Sequence, residues 1–284
     1  MRVVLEGLAI GESPRWHDGR LWFCNWGPDE LVAMTPDGEC EVVALDPSVR
    51  PHSIEWLPDG RMLVVPKDPA HQGLLLRVEP GGEIVVHADL RPIAAGWNEI
   101  VVDGLGNVYV NGSDFDFLGF LKGGVEFVPG VIALVTPDGE VRKVADGIEF
   151  GNGMVVTPDN ATLVVAESFA GRLTAFDIGP GGSLSGRRVW AEGMGPDGIT
   201  IDAEGAIWTS SDSMAGNCVR IREGGEVLER LELDRSPFAC MLGGPDRRTL
   251  YVMAAEWHPE DPFGDRRTGQ VLAVDAPSPG VGWP

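Results

Sequence analysis

Six segments of this chain, at residues 12–23, 52–65, 98–110, 152–165, 197–209 and 238–252, repeat one pattern in one register. Each opens on a polar or otherwise distinctive residue, runs through a short apolar stretch, turns, and runs through a second apolar stretch. The turns carry the residues that tight hairpins need, as in Asp18-Gly19, Pro58-Asp59-Gly60, Pro158-Asp159-Asn160 and Ala203-Glu204-Gly205. Two more strand-like runs follow each of the first five hairpins, for example 31–34 turning through Pro36-Asp37-Gly38 into 41–43. Four short strands repeated around a ring make a propeller blade.

The sixth unit is one strand short, because after its hairpin only 270–274 reads as a strand. The opening run Val3-Val4-Leu5 supplies the missing one. A blade shared by both ends closes the ring and leaves no open sheet edge, whereas a solenoid needs capping repeats and none is visible. The expectation is an all-β, six-bladed β-propeller closed by the N-terminal strand joining the last blade, forming a single domain over residues 1–284. The 39 glycines and 22 prolines suit so many turns.

A formal net charge of −21 sets the surface against nucleic acid and anionic membranes, both of which need clustered Lys and Arg. Cys24, Cys40, Cys218 and Cys240 form no CxxC pair and sit in or beside strand-like runs, so they read as buried thiols, with neither a zinc cage nor a disulfide framework. No apolar run approaches membrane-spanning length and the N-terminus passes directly into a strand pattern, which makes a cytoplasmic location the expectation.

Counting back four positions from the aligned apolar residues Trp16, Trp56, Val102, Val156, Ile201 and Leu242 gives Glu12, His52, Asn98, Asn152, Asp197 and Phe238. First strands line a propeller's tunnel, so residues at one register form a ring about its axis. Four of these six are oxygen donors. Converging carboxylate and amide oxygens suit one hard divalent cation, calcium foremost, with magnesium, manganese or zinc as alternatives. Gly151-Asn152-Gly153 and Pro196-Asp197-Gly198 suggest a backbone needing unusual dihedral freedom there. Asn or Asp beside Gly is, taken singly, commonly just a turn residue; four at one register favour a metal site.

His52 shares the ring without being an oxygen ligand. Its two readings are substrate binding or proton shuttling, and a tunnel histidine satisfied by a backbone carbonyl. Phe238, Trp97 and Trp26 offer apolar wall for a substrate, or simple packing. Residues 112–120 interrupt the third blade and residues 256–267 the sixth; each is either a lid over the funnel or surface decoration.

The stretches Glu12-Ser13-Pro14-Arg15-Trp16, Asn152-Gly153-Met154, Pro196-Asp197-Gly198 and residues 238–244 resemble the motifs of the senescence-marker-protein (regucalcin) and gluconolactonase family, in the same blade order. The resemblance implies lactone hydrolysis with a divalent ion held by Glu12, Asn152 and Asp197, and Asp197 as the base. It also implies that Asn98 contacts substrate or metal, and that the partner is a small-molecule lactone. One departure stands out. Sugar-lactone members carry an arginine two residues before the third-blade asparagine, where this chain has Gly96 followed by Trp97; this points away from a sugar. Alternatives on the same funnel are organophosphate hydrolysis, a lyase or isomerase step, or calcium binding without catalysis.

Overall fold

The computed structural model describes residues 1–212 and 216–281. Within them the chain forms six antiparallel sheets of four strands each. The innermost strands are Gly11–His17, Pro51–Trp56, Trp97–Val102, Gly151–Val156, Thr200–Ile201 and Ser236–Gly243. In the first five blades the chain then steps outward strand by strand, ending at Cys40–Val43, Ile84–Asp89, Val141–Ile148, Leu184–Glu192 and Val227–Glu232. The predicted propeller is the observed one. Its first hairpin follows directly from sequence: His17 pairs with Arg20 across Asp18 and Gly19, whose φ values of 48° and 74° are those of the turn that matches strand twist.

The ring closes as expected. Arg2–Leu8 becomes the outermost strand of the sixth blade, antiparallel to Gly269–Asp275, with Arg2 opposite Ala273 and Leu8 opposite Gly269. Closure joins the two ends through a ladder of backbone hydrogen bonds, so opening the ring would strand the edge of a sheet.

Blades pack face to face, which is why their middle strands are apolar on both sides. Met62–Pro66 is buried along its whole length, and Leu63, Leu75, Ile100 and Val110 share one cluster between the second and third blades. Of the four thiols, Cys24, Cys218 and Cys240 are buried; Cys40 is exposed, because it opens the outermost strand of its blade. All four are free. Among the described residues, no helix is long and apolar enough to cross a membrane.

At the ring register the ladders break. Register shifts fall between Glu12 and Arg15, Pro51 and Ser53, Trp97 and Ile100, Gly151 and Met154, and Pro237 and Ala239. A bulge turns a side chain out of the regular pleat, and here five blades use one where the tunnel begins. The fifth blade differs from expectation: its inner strand is only Thr200–Ile201, and Asp197 lies in irregular chain ahead of it.

Candidate active site

Every residue singled out by register and resemblance faces one space. Glu12, Trp26, His52, Trp97, Asn98, Asn152, Asp197 and Phe238 all line a cavity of about 270 Å³. They reach it from all six blades, and hydrogen bonds between neighbouring blades hold them there. The Ser13 hydroxyl accepts from the Ile54 N–H at 3.0 Å, and the Ser53 hydroxyl donates to the Asn98 carbonyl at 2.6 Å. The Asn98 amide donates to the Gly151 carbonyl at 3.0 Å. Next, the Gly153 N–H donates to the Asp197 carbonyl at 3.2 Å and the Gly198 N–H to the Phe238 carbonyl at 2.8 Å.

The glycines beside Asn152 and Asp197 work differently from the sequence expectation. Neither Gly153 nor Gly198 has a positive φ. What they provide is proximity: a Cβ on Gly153 would come within 2.5 Å of the Ile199 nitrogen, and one on Gly198 within 2.5 Å of the Ala239 Cβ. The left-handed backbone sits instead at Ser13 and Phe150, with φ of 50° and 59°.

Electrostatics single out two carboxyls. Burial, reinforced by the negative charges of Asp197 and Glu99, holds the Glu12 carboxyl well above the usual range. Burial and then Glu99 push Asp197 up to about 7, against the opposing pull of the Asn152 amide and the Gly198 backbone. The Asp197 Oδ1 is buried and has no hydrogen-bond partner. An orphaned carboxylate oxygen beside a second dry carboxyl is an environment short of positive charge, and a hard cation fits it. Among the described residues no three His, Cys, Asp or Glu gather closely enough to hold a metal. A cation here would therefore be held by the amide oxygens of Asn98 and Asn152 as well as the two carboxylates.

His52 resolves into a specific contact. Its Nε2 lies 2.9 Å from the Asn98 Oδ1, so a side-chain amide and not a backbone carbonyl satisfies it. Because the Asn98 Nδ2 is spent on Gly151, its oxygen faces His52, and the imidazole carries its proton on Nε2. Burial lowers the His52 pKa to about 4. The ring is neutral at physiological pH, which removes it as a cationic proton shuttle. Trp26 stacks on it at 4.2 Å between ring centroids and donates its indole N–H to the His52 carbonyl at 2.8 Å.

Sequence reasoning passed over a buried ionic cluster spanning three blades. Arg15 Nε donates to Glu55 at 2.6 Å, and Arg15 Nη2 contacts Glu99 at 3.3 Å and donates to the Ile100 carbonyl at 2.6 Å. Glu99 also accepts from the Ser13 hydroxyl at 2.9 Å. The available signal was a charged residue inside an apolar inner-strand run in each of the first three repeats. Both insertions contribute to the lining of the cavity, Phe115 and Phe117 from the first, the latter opening the short helix Phe117–Leu121, and Trp257 and Phe263 from the second. Phe117 and Phe263 meet, with centroids 6.2 Å apart. Phe150, also in the lining, was missed because its side chain is turned by the left-handed backbone before the inner strand. At Gly96, where the resemblance expects arginine, a Cβ would meet the Ser113 carbonyl oxygen at 2.5 Å, so this backbone admits no side chain.

Residues 10–256 match the family described as SMP-30/Gluconolactonase/LRE-like region. The chain is 31% identical to regucalcin of Xenopus laevis, covering 89% of this chain and 85% of the relative. It is 27% identical to pentonolactonase XacC of Haloferax volcanii, covering 96% and 91% respectively. Among solved structures, a luciferin-regenerating enzyme superposes with a TM-score of 0.80 at 19% identity, covering 98% of this chain and 95% of that one.

Proposed function

Because the chain belongs to the SMP-30/gluconolactonase/LRE-like family, we propose that it is a metal-dependent lactonase, with Glu12, Asn98, Asn152 and Asp197 as oxygen ligands to one divalent ion. The observation that carries this reading is the unpartnered, buried Asp197 Oδ1 in the same cavity as Glu12. Kinship with a pentonolactonase supports a lactone as substrate. An all-oxygen donor set with two carboxylates favours calcium, which accepts irregular coordination more readily than magnesium.

A divalent ion held there supplies positive charge that polarises a carbonyl and acidifies water. The chain's own residues account for the rest. Asp197 accepts the proton of the attacking water as the new bond forms at the lactone carbonyl carbon, and returns it to the ring oxygen as the ring C–O bond breaks. The product is the open hydroxy acid. Asn98, oriented by His52 and Gly151, positions the lactone or completes the ligand set. Trp97, Trp26 and Phe238 form wall around the ring, and the two insertions keep bulk water out.

A pH-indicator assay over a lactone panel tests this, run with calcium, with chelator, after calcium is restored, and on Asp197→Asn. The expected result is turnover that chelator abolishes, calcium restores and Asp197→Asn lowers at least ~1,000-fold. Turnover indifferent to both changes sinks the site. Chelator-sensitive hydrolysis of fluorophosphate esters but not lactones would move the activity to the organophosphate alternative.

A further inference from the structure

The floor of the cavity is polar, but its walls and roof are not. Trp97, Phe115, Phe117, Phe150, Trp257 and Phe263 surround the space above Glu12, Asn152 and Asp197. Among the described residues lining it there is no lysine or arginine. Lys67 lies 5.9 Å from the Trp26 ring centroid and is engaged by Asp29 at 2.6 Å.

Several polar groups in the walls are already committed, while the His52 Nδ1 is buried without a partner. The Trp97 indole N–H donates to the Ala94 carbonyl at 3.1 Å and that of Trp26 to the His52 carbonyl, so neither indole N–H is free for a ligand. The Asn98 amide donates to Gly151 and accepts from His52, which leaves only one lone pair of its oxygen, the one assigned to the ion. Gly96 offers only backbone, and the Ser113 carbonyl packs where its side chain would stand. A ring of hydroxyls bound here would lose its water partners and find few replacements.

The mouth continues the same chemistry. Phe115 meets Phe120, Phe127 and Phe150 edge to face, and Phe150 stacks on Phe169 at 4.3 Å. Phe169, Leu118 and Val125 around this insertion are exposed, so apolar side chains reach the surface here beside the exposed Asp116 and Lys122.

From these observations we infer that the site takes an apolar lactone, one whose ring bears an aryl group or alkyl chain where a sugar lactone bears hydroxyls. The inference rests on the lactonase reading for its reaction, but not for its binding preference. The carbonyl sits over the oxygen-lined floor and the substituent lies under the roof made by Phe117 and Phe263.

The test has two arms on the calcium-loaded protein. In the first, kcat/KM is measured for γ-phenyl-γ-butyrolactone, γ-octalactone, unsubstituted γ-butyrolactone and glucono-δ-lactone. The substituted apolar lactones should exceed both others by at least ~10-fold; glucono-δ-lactone equal to or better than them overturns the inference and leaves lactonase activity standing. In the second, calorimetry compares 5-phenyl-2-pyrrolidinone, a lactam that is not hydrolysed, with a polyhydroxylated lactam. Tighter binding of the phenyl lactam supports the inference even if no lactone is turned over, an outcome that removes the lactonase reading alone. Preference for the polyhydroxylated lactam, or binding of neither, overturns it.

Discussion

The His52 Nε2 stands 2.9 Å from the Asn98 Oδ1, and that contact fixes a side chain from the second blade against one from the third. Its energetics are asymmetric. The neutral ring donates one proton, while its Nδ1 is buried with no partner. Asn98 is held at its other end by Gly151, so the bond aims an amide at the cavity.

Replacing His52 separates the bond from the ring's titration. His52→Gln retains a donor and should keep kcat/KM within about 3-fold, whereas His52→Phe removes it and should cost about 10-fold, the scale of one buried hydrogen bond. The folded pKa near 4 lies below the ordinary 6.5. This group therefore contributes stability that is present above about 6.5 and lost as pH falls through about 4. Thermal melts from pH 7 to 4 should show wild type losing more stability than His52→Gln; equal losses would mean His52 is not buried neutral.

Asp197 carries the opposite sign. Its carboxyl is raised from 3.8 to about 7 in the metal-free protein, so the associated stability is full below 3.8 and lost as pH rises through 7. In chelator, Asp197→Asn should melt above wild type by at least ~3 °C at pH 8, with the gap closing toward pH 4. With calcium at pH 8 the order should reverse, because only wild type gains from the ion. A variant that melts below wild type in chelator at every pH would show that burial and Glu99 do not disfavour the Asp197 carboxylate.

The fold was readable because its signals are local. The Asp18-Gly19 turn, the paired apolar runs and the missing sixth-blade strand are each set by a few adjacent residues, and repetition supplies the rest. The ring register was legible for the same reason, since counting from Trp16 or Leu242 needs no knowledge of what lies opposite. Arg15 with Glu55 and Glu99 was not, because their pairing crosses three blades and nothing in one repeat announces it. The role of Gly153 and Gly198 was misread as conformational because steric approach to Ile199 and Ala239 exists only once blades four, five and six are packed.

That close approach predicts a sharp contrast between two glycines. Gly153→Ala places a methyl 2.5 Å from the Ile199 nitrogen, where backbone must move. Overpacking of this kind costs about 1–3 kcal/mol. It also displaces Asp197, whose carbonyl the Gly153 N–H reaches, so calcium affinity should fall with stability. Gly81→Ala, with nothing within 4 Å and no positive φ, should stay within about 0.5 kcal/mol of wild type by urea denaturation. Similar losses at both positions would place the cost in the glycine backbone and not in the contact between blades.

The ionic cluster gives the last test. Arg15 is buried between Glu55 at 2.6 Å and Glu99 at 3.3 Å, and even so burial pushes the Glu55 carboxyl up to about 7. Drying that carboxylate costs more than one guanidinium returns. Arg15→Met should therefore destabilise by about 3–5 kcal/mol at pH 8, since it leaves two carboxylates without a cation in a dry tunnel. The deficit should shrink toward pH 5, because a carboxyl with a raised folded pKa recovers stability as it takes up a proton. The triple change Arg15→Met, Glu55→Leu, Glu99→Leu should recover most of the loss, as apolar packing replaces an ion cluster that was expensive to bury. Urea denaturation at the two pH values separates these outcomes: a pH-independent deficit that the triple change does not relieve would assign the damage to lost packing of the Arg15 stem, not to stranded charge.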